Sequence, residues 1–418
     1  MKILVIGSGA REHALVWSLS HDAAVTELHA APGNPGIAQH AHLHSCDITI
    51  PTEIADLAAE LKVDLVVIGP ELPLVAGAAD AVRARGIACF GPSAQAARIE
   101  GSKAFAKEIM LAAGVPTSRS RTCQSLGEVG QALDEFGAPY VVKDDGLAAG
   151  KGVVVTNDRE VALAHAAGCR SVVVEEFLDG PEISLFGITD GETVLALEPA
   201  QDFKRVGDGD TGGNTGGMGA YSPLPWAPSD LVERVRAEIL QPTIDELCRR
   251  DTPFVGLLYA GLALTSDGLK VIEFNARFGD PETQVLLSRL RTPLAGVLFR
   301  AATGALKEAP TLDFSPDAAV SVVIASAGYP GEIRSGDKIS GLDDALSLGA
   351  VVFQAGTRSQ GRHLVSAGGR VLSVTGMGKD LASAREVAYR GVAAITLDGS
   401  IHRNDIALAA AEGSTSRG

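Results

Sequence analysis

Asp144-Asp145-Gly146-Leu147-Ala148-Ala149-Gly150-Lys151-Gly152 follows the apolar run Tyr140-Val141-Val142-Lys143 and leads directly into Val153-Val154-Val155. Two short β-type runs joined by a glycine-rich loop bearing a lysine predict a hairpin whose backbone N–H groups close over phosphates, and hence a nucleotide. A Walker loop is excluded. That motif opens a helix after Gly-Lys-Ser/Thr, whereas Lys151 is followed by Gly152 and another strand.

Two further strand ends belong with this loop. Val172-Val173-Val174-Glu175-Glu176-Phe177-Leu178 is an apolar strand ending in paired acids and a bulky apolar pair. In Val271-Ile272-Glu273-Phe274-Asn275-Ala276-Arg277, the residues Glu273, Asn275 and Arg277 alternate at period two and so project from one face. An acid beside an amide oxygen makes a pair of hard ligands suited to magnesium bridged to nucleotide phosphates. The guanidinium suits charge developing on a transferring phosphoryl group. For Glu273 alone a salt bridge on a solvated face is the simpler reading, but three such groups running into Phe278-Gly279-Asp280-Pro281-Glu282 favour a site.

Ahead of the loop, the chain alternates strands and helices. Lys2–Ile6, Leu28–Ala31, Leu65–Ile68 and Ile87–Phe90 read as strands, and Arg11–Ser20, Pro51–Leu61 and Val75–Arg85 as helices, which predicts a parallel sheet. The turns after these strands are candidate binding loops, since open parallel sheets bind ligands outside the carboxyl ends of their strands. Gly7-Ser8-Gly9-Ala10-Arg11-Glu12 is only a partial dinucleotide fingerprint. Glu12 occupies the third glycine position, and Ala30-Ala31-Pro32 stands where an acid would hold the adenosine ribose. A phosphate or phosphosugar at the helix N-terminus is the better reading.

Farther on, 101–116 reads as one helix stopped by Gly114 and Pro116. A small α/β lid is expected over about 117–180, with strands at Tyr140–Lys143, Gly152–Thr156 and Ser171–Glu175. Next come strands at Glu182–Ile188, Thr193–Leu197, Leu257–Thr265 and Leu269–Glu273, and a helix over Leu231–Arg249. The last hundred residues hold strands at Val320–Ser326, Val351–Ala355 and Val371–Thr375 and a helix at Lys379–Gly391, without concentrated chemistry. The tail from Glu412 is expected to be disordered. The division expected is a parallel α/β substrate-binding domain (1–101), a two-part nucleotide domain with its lid (102–318) and a mixed α/β domain (319–418).

The 418 residues carry 46% hydrophobic side chains, enough for several cores, and a net charge of −15. That field repels nucleic acid and anionic lipid, so neither is expected as a partner. Cys46, Cys89, Cys123, Cys169 and Cys248 are scattered and odd in number, which fits a reduced cytoplasm better than a disulfide frame or zinc site. Neither a signal peptide nor a membrane span is expected from the apolar runs.

Jointly these motifs resemble the ATP-grasp superfamily and, within it, the phosphoribosylamine-glycine ligases (glycinamide ribonucleotide synthetases) of purine biosynthesis. The resemblance runs nearly end to end. It rests on the segments 6–14, 31–34, 67–71, 100–103 and 145–152, on Gln201-Asp202, Lys204-Arg205 and Asn214-Thr215-Gly216-Gly217-Met218-Gly219-Ala220, and on Arg277 through Gln284. It implies ligation of glycine to 5-phosphoribosylamine with ATP and Mg2+ or Mn2+, by way of a glycyl phosphate, in a monomer or weak dimer. By similarity Lys103 and Lys143 contact ATP phosphates under the Gly146, Gly150, Lys151 and Gly152 loop. Glu175 and the backbone of Leu178 meet adenine, Glu182 holds the ribose, and Glu273 and Asn275 bind the metal. Asp202, Arg205, Arg277 and Asp280 line the reacting centre, while Gly9, Arg11, Asn34, Glu71 and Lys204 face the substrates.

The chain departs from this pattern in three places. No acid occurs in Phe254–Leu264, the strand before Glu-x-Asn; Phe203 stands where relatives often have His and is given no acid/base role; and the stretch from Val155 to Val172 is short. A chain ending after the last of these units is not expected to carry a fused later step. Two rival readings share the fold: a non-catalytic nucleotide-binding module, and a biotin-carboxylase-like ligase.

Overall fold

Four strand residues, Ile3 to Ile6, have no exposed surface at all, which is what a central parallel strand covered on both faces requires. In the computed structural model, which describes residues 1–147 and 152–415, Lys2–Gly7 lies mid-sheet. Its neighbours are Glu27–Pro32 and Leu65–Ile68, with His42–Leu43 and Ala88–Phe90 at the edges, all parallel. The turns after these strands gather at one end of the sheet.

Two expected helices are divided. Val75–Arg85 is instead Glu71–Ala76 followed by Ala78–Ala84, because Gly77 adopts a left-handed conformation (φ 94°) between them. The first piece starts at Glu71, since Pro73 is tolerated in a helix's first turn, where N–H groups lack partners anyway. The helix read over 101–116 starts at Lys103, after Ala94–Gly101 ends and Ser102 becomes extended. Ser102 Oγ then caps Phe105 N–H at 3.2 Å. Gly114 stops it as expected.

The lid is an antiparallel sheet in the order Ser120–Cys123, Val172–Glu175, Tyr140–Asp144, Val153–Thr156. Its helices Leu126–Phe136 and Arg159–Ala167 share with it a small core of its own around Val142, Val174 and Leu133. Ser120–Cys123 and Leu126–Phe136 were not anticipated from sequence. Next to the lid stands a second antiparallel sheet, Val194–Ala196, Glu182–Asp190, Val255–Thr265 and Gly268–Asn275. The helix expected at Leu231–Arg249 widens through a π-turn at Arg236–Leu240. Pro242 has no N–H to give the carbonyl four residues back, so the ladder shifts there.

A fourth sheet joins distant parts of the chain: Gln201–Asp202, Gly219–Ser222, Ala318–Ala325, Arg370–Gly378 and Val351–Gln354. The loop 203–218, rich in glycine and polar groups, is therefore suspended from the same sheet as the C-terminal strands. Helix Leu381–Ala394 covers that sheet, and the chain after it stays bonded as far as Ser414, whose N–H reaches Ala409 O at 2.8 Å. The tail expected to be disordered from Glu412 is thus ordered to that point. Among the described residues no helix is long and apolar enough to cross a membrane.

Candidate active site

Asp145 fixes the glycine loop's first end. Its Oδ1 accepts Ala104 N–H and Ser102 Oγ–H, each at 3.1 Å, so a loop acid caps the Lys103–Ala113 helix. Lys103, the first residue of that helix, donates to Gly146 O at 3.0 Å. At the other end Gly152 O accepts Asp144 N–H at 2.7 Å. Gly150 and Lys151 lie outside the described residues.

Lys143 and Glu175 stand on adjacent lid strands, Lys143 Nζ 3.0 Å from the carboxylate and 3.0 Å from Ile272 O. Lys107, which sequence reading passed over, meets the same carboxylate at 3.2 Å, and Ser118 Oγ donates to it at 2.7 Å. Burial would raise the Glu175 pKa, but Lys143, Lys107 and Ser118 hold it below the ordinary value. Its side chain is thereby committed to the two lysines and Ser118. Leu178 lies in the irregular segment just after this strand.

Glu273 and Asn275 end the Gly268–Asn275 strand. A bulge at Ile272 sets Glu273 opposite Gly261 and Asn275 opposite Tyr259, so no acid faces them from the neighbouring strand. Burial opposes ionisation of Glu273, yet Lys204, Lys143, Lys103 and Arg277 keep its pKa below the usual carboxylate value. It is an ionised oxygen donor in a cationic ring. Among the described residues no group of three or more His, Cys, Asp or Glu side chains could hold a metal by themselves. Glu273 and Asn275 fit an ion that takes its remaining oxygens from phosphates and water, as magnesium usually does.

Lys204 is salt-bridged to Glu182, so the lysine expected at the substrates meets the acid expected at the ribose. Burial disfavours its charge, but Glu182, Tyr259, Glu273 and Asp202 raise its pKa well above the usual value. Asp202 is nearby. Burial and the Glu282 carboxylate push its pKa well up, and its Oδ1 is buried with no hydrogen-bond partner among the described residues. Glu282, 2% exposed, accepts Ser184 Oγ–H at 2.9 Å. Arg205 turns away to Gly212 O, 2.8 Å off in its own hairpin.

The N-terminal loops meet this centre through arginines. Phe278 O accepts from Arg11 Nη1 at 3.1 Å and from Arg277 Nη1 at 3.3 Å. Arg277 also lies 3.3 Å from Glu71 and 3.4 Å from Glu100. Two residues expected in different roles, Glu71 and Arg277, are therefore partners. Burial and then Arg277 set the acids apart: Glu71 is held below the ordinary value with Arg11 helping, whereas burial wins at Glu100 and raises it. Arg11 Nε bonds Glu12 at 2.6 Å, and Glu12 turns back to accept Gly9 N–H at 2.6 Å. Gly7 (φ 127°) must lack a side chain, because a Cβ there would come within 2.5 Å of Glu12.

Asn34 has no side-chain capacity to spare. Its amide donates to Ser8 O (2.9 Å) and Gln354 O (2.7 Å) and accepts from Gly36 and Ile37 N–H, both at 2.9 Å. Asp280 accepts from Gln284 Nε2 at 2.9 Å and lies 3.3 Å from Arg370. Arg370 comes from the C-terminal strand where no chemistry was expected, and it also bonds Gly216 O and, at 2.7 Å, Asp280 O. No signal marked it in sequence. Glu100 and Glu282 lay inside motifs already singled out.

Comparison with known proteins agrees along the whole chain. Residues 1–100, 101–283 and 319–409 match, in turn, the N domain, the ATP-grasp (A) domain and the C domain of phosphoribosylglycinamide synthetase. A phosphoribosylamine–glycine ligase of Streptomyces coelicolor is 64% identical over 98% of this chain and 100% of its own, and one of Mycobacterium leprae is 54% identical over 99% of each. The crystal structure of the Thermotoga maritima phosphoribosylamine–glycine ligase superposes with a TM-score of 0.85 at 30% identity, covering 97% of this chain and 100% of that one. The biotin carboxylase domain of a Hydrogenobacter thermophilus 2-oxoglutarate carboxylase, at 16% identity and a TM-score of 0.72, shares the fold alone. With every domain matched in order and identity above half over nearly its full length, the chain belongs to the phosphoribosylglycinamide synthetase family of ATP-grasp ligases.

Proposed function

We propose that this chain joins glycine to 5-phosphoribosylamine at the expense of ATP, giving glycinamide ribonucleotide, ADP and phosphate, as a cytoplasmic monomer or weak dimer. The observation that carries the reading is the Glu273 carboxylate held ionised among Lys103, Lys143, Lys204 and Arg277. A module that only bound nucleotide would have no use for that acid amid its phosphate-facing cations.

A carboxylate is a poor acylating agent because oxide is a poor leaving group. One carboxylate oxygen of glycine attacks the γ-phosphorus and ADP leaves. The amine then attacks the carbonyl of the glycyl phosphate, phosphate leaves, and the amine's extra proton is released. The protein's part is positioning and charge neutralisation. Lys103 and Lys143 take the phosphates beneath the loop from Gly146 to Gly152, the main chain at Glu175 and Leu178 meets adenine, and Glu182 holds the ribose. Glu273 and Asn275 would hold Mg2+ or Mn2+, which neutralises phosphate charge when bound. Arg277, Asp280 and Asp202 line the reacting centre with the Lys204–Arg205 segment, whose Arg205 has to leave its hairpin bond to take part. Arg11, Glu71 and the turns of Gly9 and Asn34 form the phosphosugar end, Asn34 acting through the loop it shapes.

The test is isotopic. Glycine labelled with heavy oxygen in its carboxylate should yield inorganic phosphate carrying one labelled oxygen per turnover, and steady-state ADP formation should require both glycine and phosphoribosylamine. Unlabelled phosphate from an active enzyme would remove the acyl phosphate. ADP release driven by bicarbonate and biotin would replace the reaction altogether.

A further inference from the structure

Lys107 lies one helical turn after Lys103, with only 11% of its side chain exposed. Its ammonium donates to Thr117 Oγ1 at 2.8 Å, Ser118 Oγ at 2.6 Å and Ser118 O at 3.2 Å, and stands 3.2 Å from Glu175 Oε1. Thr117 Oγ1 in turn donates to Val271 O at 2.6 Å, and Val271 N–H reaches Pro116 O at 2.8 Å. Lys107 thus ties three pieces together: the helix that starts with Lys103, the entry to the lid beside the strand of Glu273, and the lid strand of Glu175.

The charges are as informative as the bonds. Glu175 and Lys143 are each 4% exposed and 3.0 Å apart, and a buried pair so placed is neutral as a unit. On its own Glu175 would cancel the lysine that is to meet the nucleotide phosphates. Lys107 on the carboxylate's other oxygen gives the trio a net charge of one positive unit.

We infer that Lys107 is a positioning residue for nucleotide binding: it occupies Glu175 so that the Lys143 charge stays available to the phosphates. The inference rests on the proposed contact between Lys143 and ATP. Burial brings the Lys107 pKa down to about 8 against the pull of Glu175, with Lys143 lowering it further and Glu176 opposing. Together with the hydroxyls of Thr117 and Ser118, those are the groups that face it. As pH rises through that value Lys107 loses its proton and the trio its net charge, so ATP binding weakens.

Calorimetric titration of ATP and of adenosine into the full-length protein tests this. Lys107→Met should weaken ATP binding by about tenfold or more, the scale of one charge acting at close range in a partly screened site, with adenosine binding within about twofold of wild type. Lys107→Arg should keep most of the affinity. In the double variant Lys107→Met/Glu175→Gln, Lys143 again stands unopposed, and ATP affinity should recover most of what Lys107→Met lost. A purely structural lysine predicts the reverse, a double variant no better than the single. The fall in ATP affinity near pH 8 should be absent from Lys107→Met. Wild-type ATP affinity in Lys143→Met would remove Lys143 from the phosphates and this inference with it. A loss in Lys143→Met beside full affinity in Lys107→Met, or failure of the double variant to recover, overturns the inference alone.

Discussion

Two charged trios flank the centre of this molecule with opposite arithmetic. On the lid side Lys107 and Lys143 share the Glu175 carboxylate; on the N-terminal side Glu71 and Glu100 share the Arg277 guanidinium. The first is left with positive charge, which suits the triphosphate proposed to bind there. The second surrounds its cation with acids, one of which burial pushes toward its neutral form. The difference is between attracting and aiming. Arg277 is turned by two acids and by Phe278 O into one orientation, while the lid lysines are kept available for a charge still to arrive.

Glu273 stands between the trios, and replacing it should have the largest effect. Glu273→Gln keeps the size and the strand but removes a carboxylate whose charge Lys204, Lys143 and Lys103 favour, so turnover should drop by orders of magnitude and the Mg2+ concentration needed should rise. Melting temperature should move little, since this residue ends its strand instead of filling the core. Near-normal turnover at ordinary Mg2+ would remove Glu273 from the metal.

Arg277→Ala comes next and breaks the aiming trio. With glycine and phosphoribosylamine saturating, turnover should fall roughly 100-fold or more for loss of charge stabilisation. Stability should fall too, by about 3 kcal/mol, because two partly buried acids are left facing each other. Adding Glu100→Gln to that variant separates the parts: thermal stability should partly return and turnover should not. Recovery of both would mean that Arg277 only neutralises its neighbours.

The lid side was the more legible in sequence, for a physical reason. A hairpin is built from residues consecutive in the chain, so the strands Tyr140–Asp144 and Val153–Thr156 on either side of the glycine run announce themselves, and period two along a strand places Glu273 and Asn275 on one face. Parallel-sheet strands read equally well because burial on both faces requires unbroken apolar runs. What stayed hidden is what the fold brings together from afar. Lys107 looks like any helix lysine until Glu175, 68 positions on by the numbering, is set against it. Arg370 is an arginine at the edge of an apolar strand until Asp280 meets it. The breaks at Gly77 and Ser102 depended on left-handed and extended residues inside otherwise helical composition. For Asn34 the loop position pointed to substrate, while the structure has used its amide fully within the protein.

Asn34 gives the smallest expected effect on turnover and the sharpest test of whether the N-terminal side works by aiming. Its amide holds Ser8 O and Gln354 O together and shapes the turn at Gly36 and Ile37, while His13 Nδ1 accepts Gln354 N–H at 2.8 Å from the other side. Burial and the nearby His40 lower the His13 pKa to about 3, against the Gln354 bond, so that acceptor persists through the neutral range. Asn34→Ala strands two carbonyls and two N–H groups in the interior, which should cost about 3 kcal/mol. The KM for phosphoribosylamine should rise several-fold as the Gly33–Gly36 turn loosens, with kcat at saturation close to wild type. Asn34→Asp should be no better than alanine. It keeps an acceptor for Gly36 and Ile37 but turns a second oxygen on two carbonyls that need donors. A raised KM with unchanged thermal stability would mean that Asn34 touches the substrate itself, and then the N-terminal side recognises its ligand through this side chain after all.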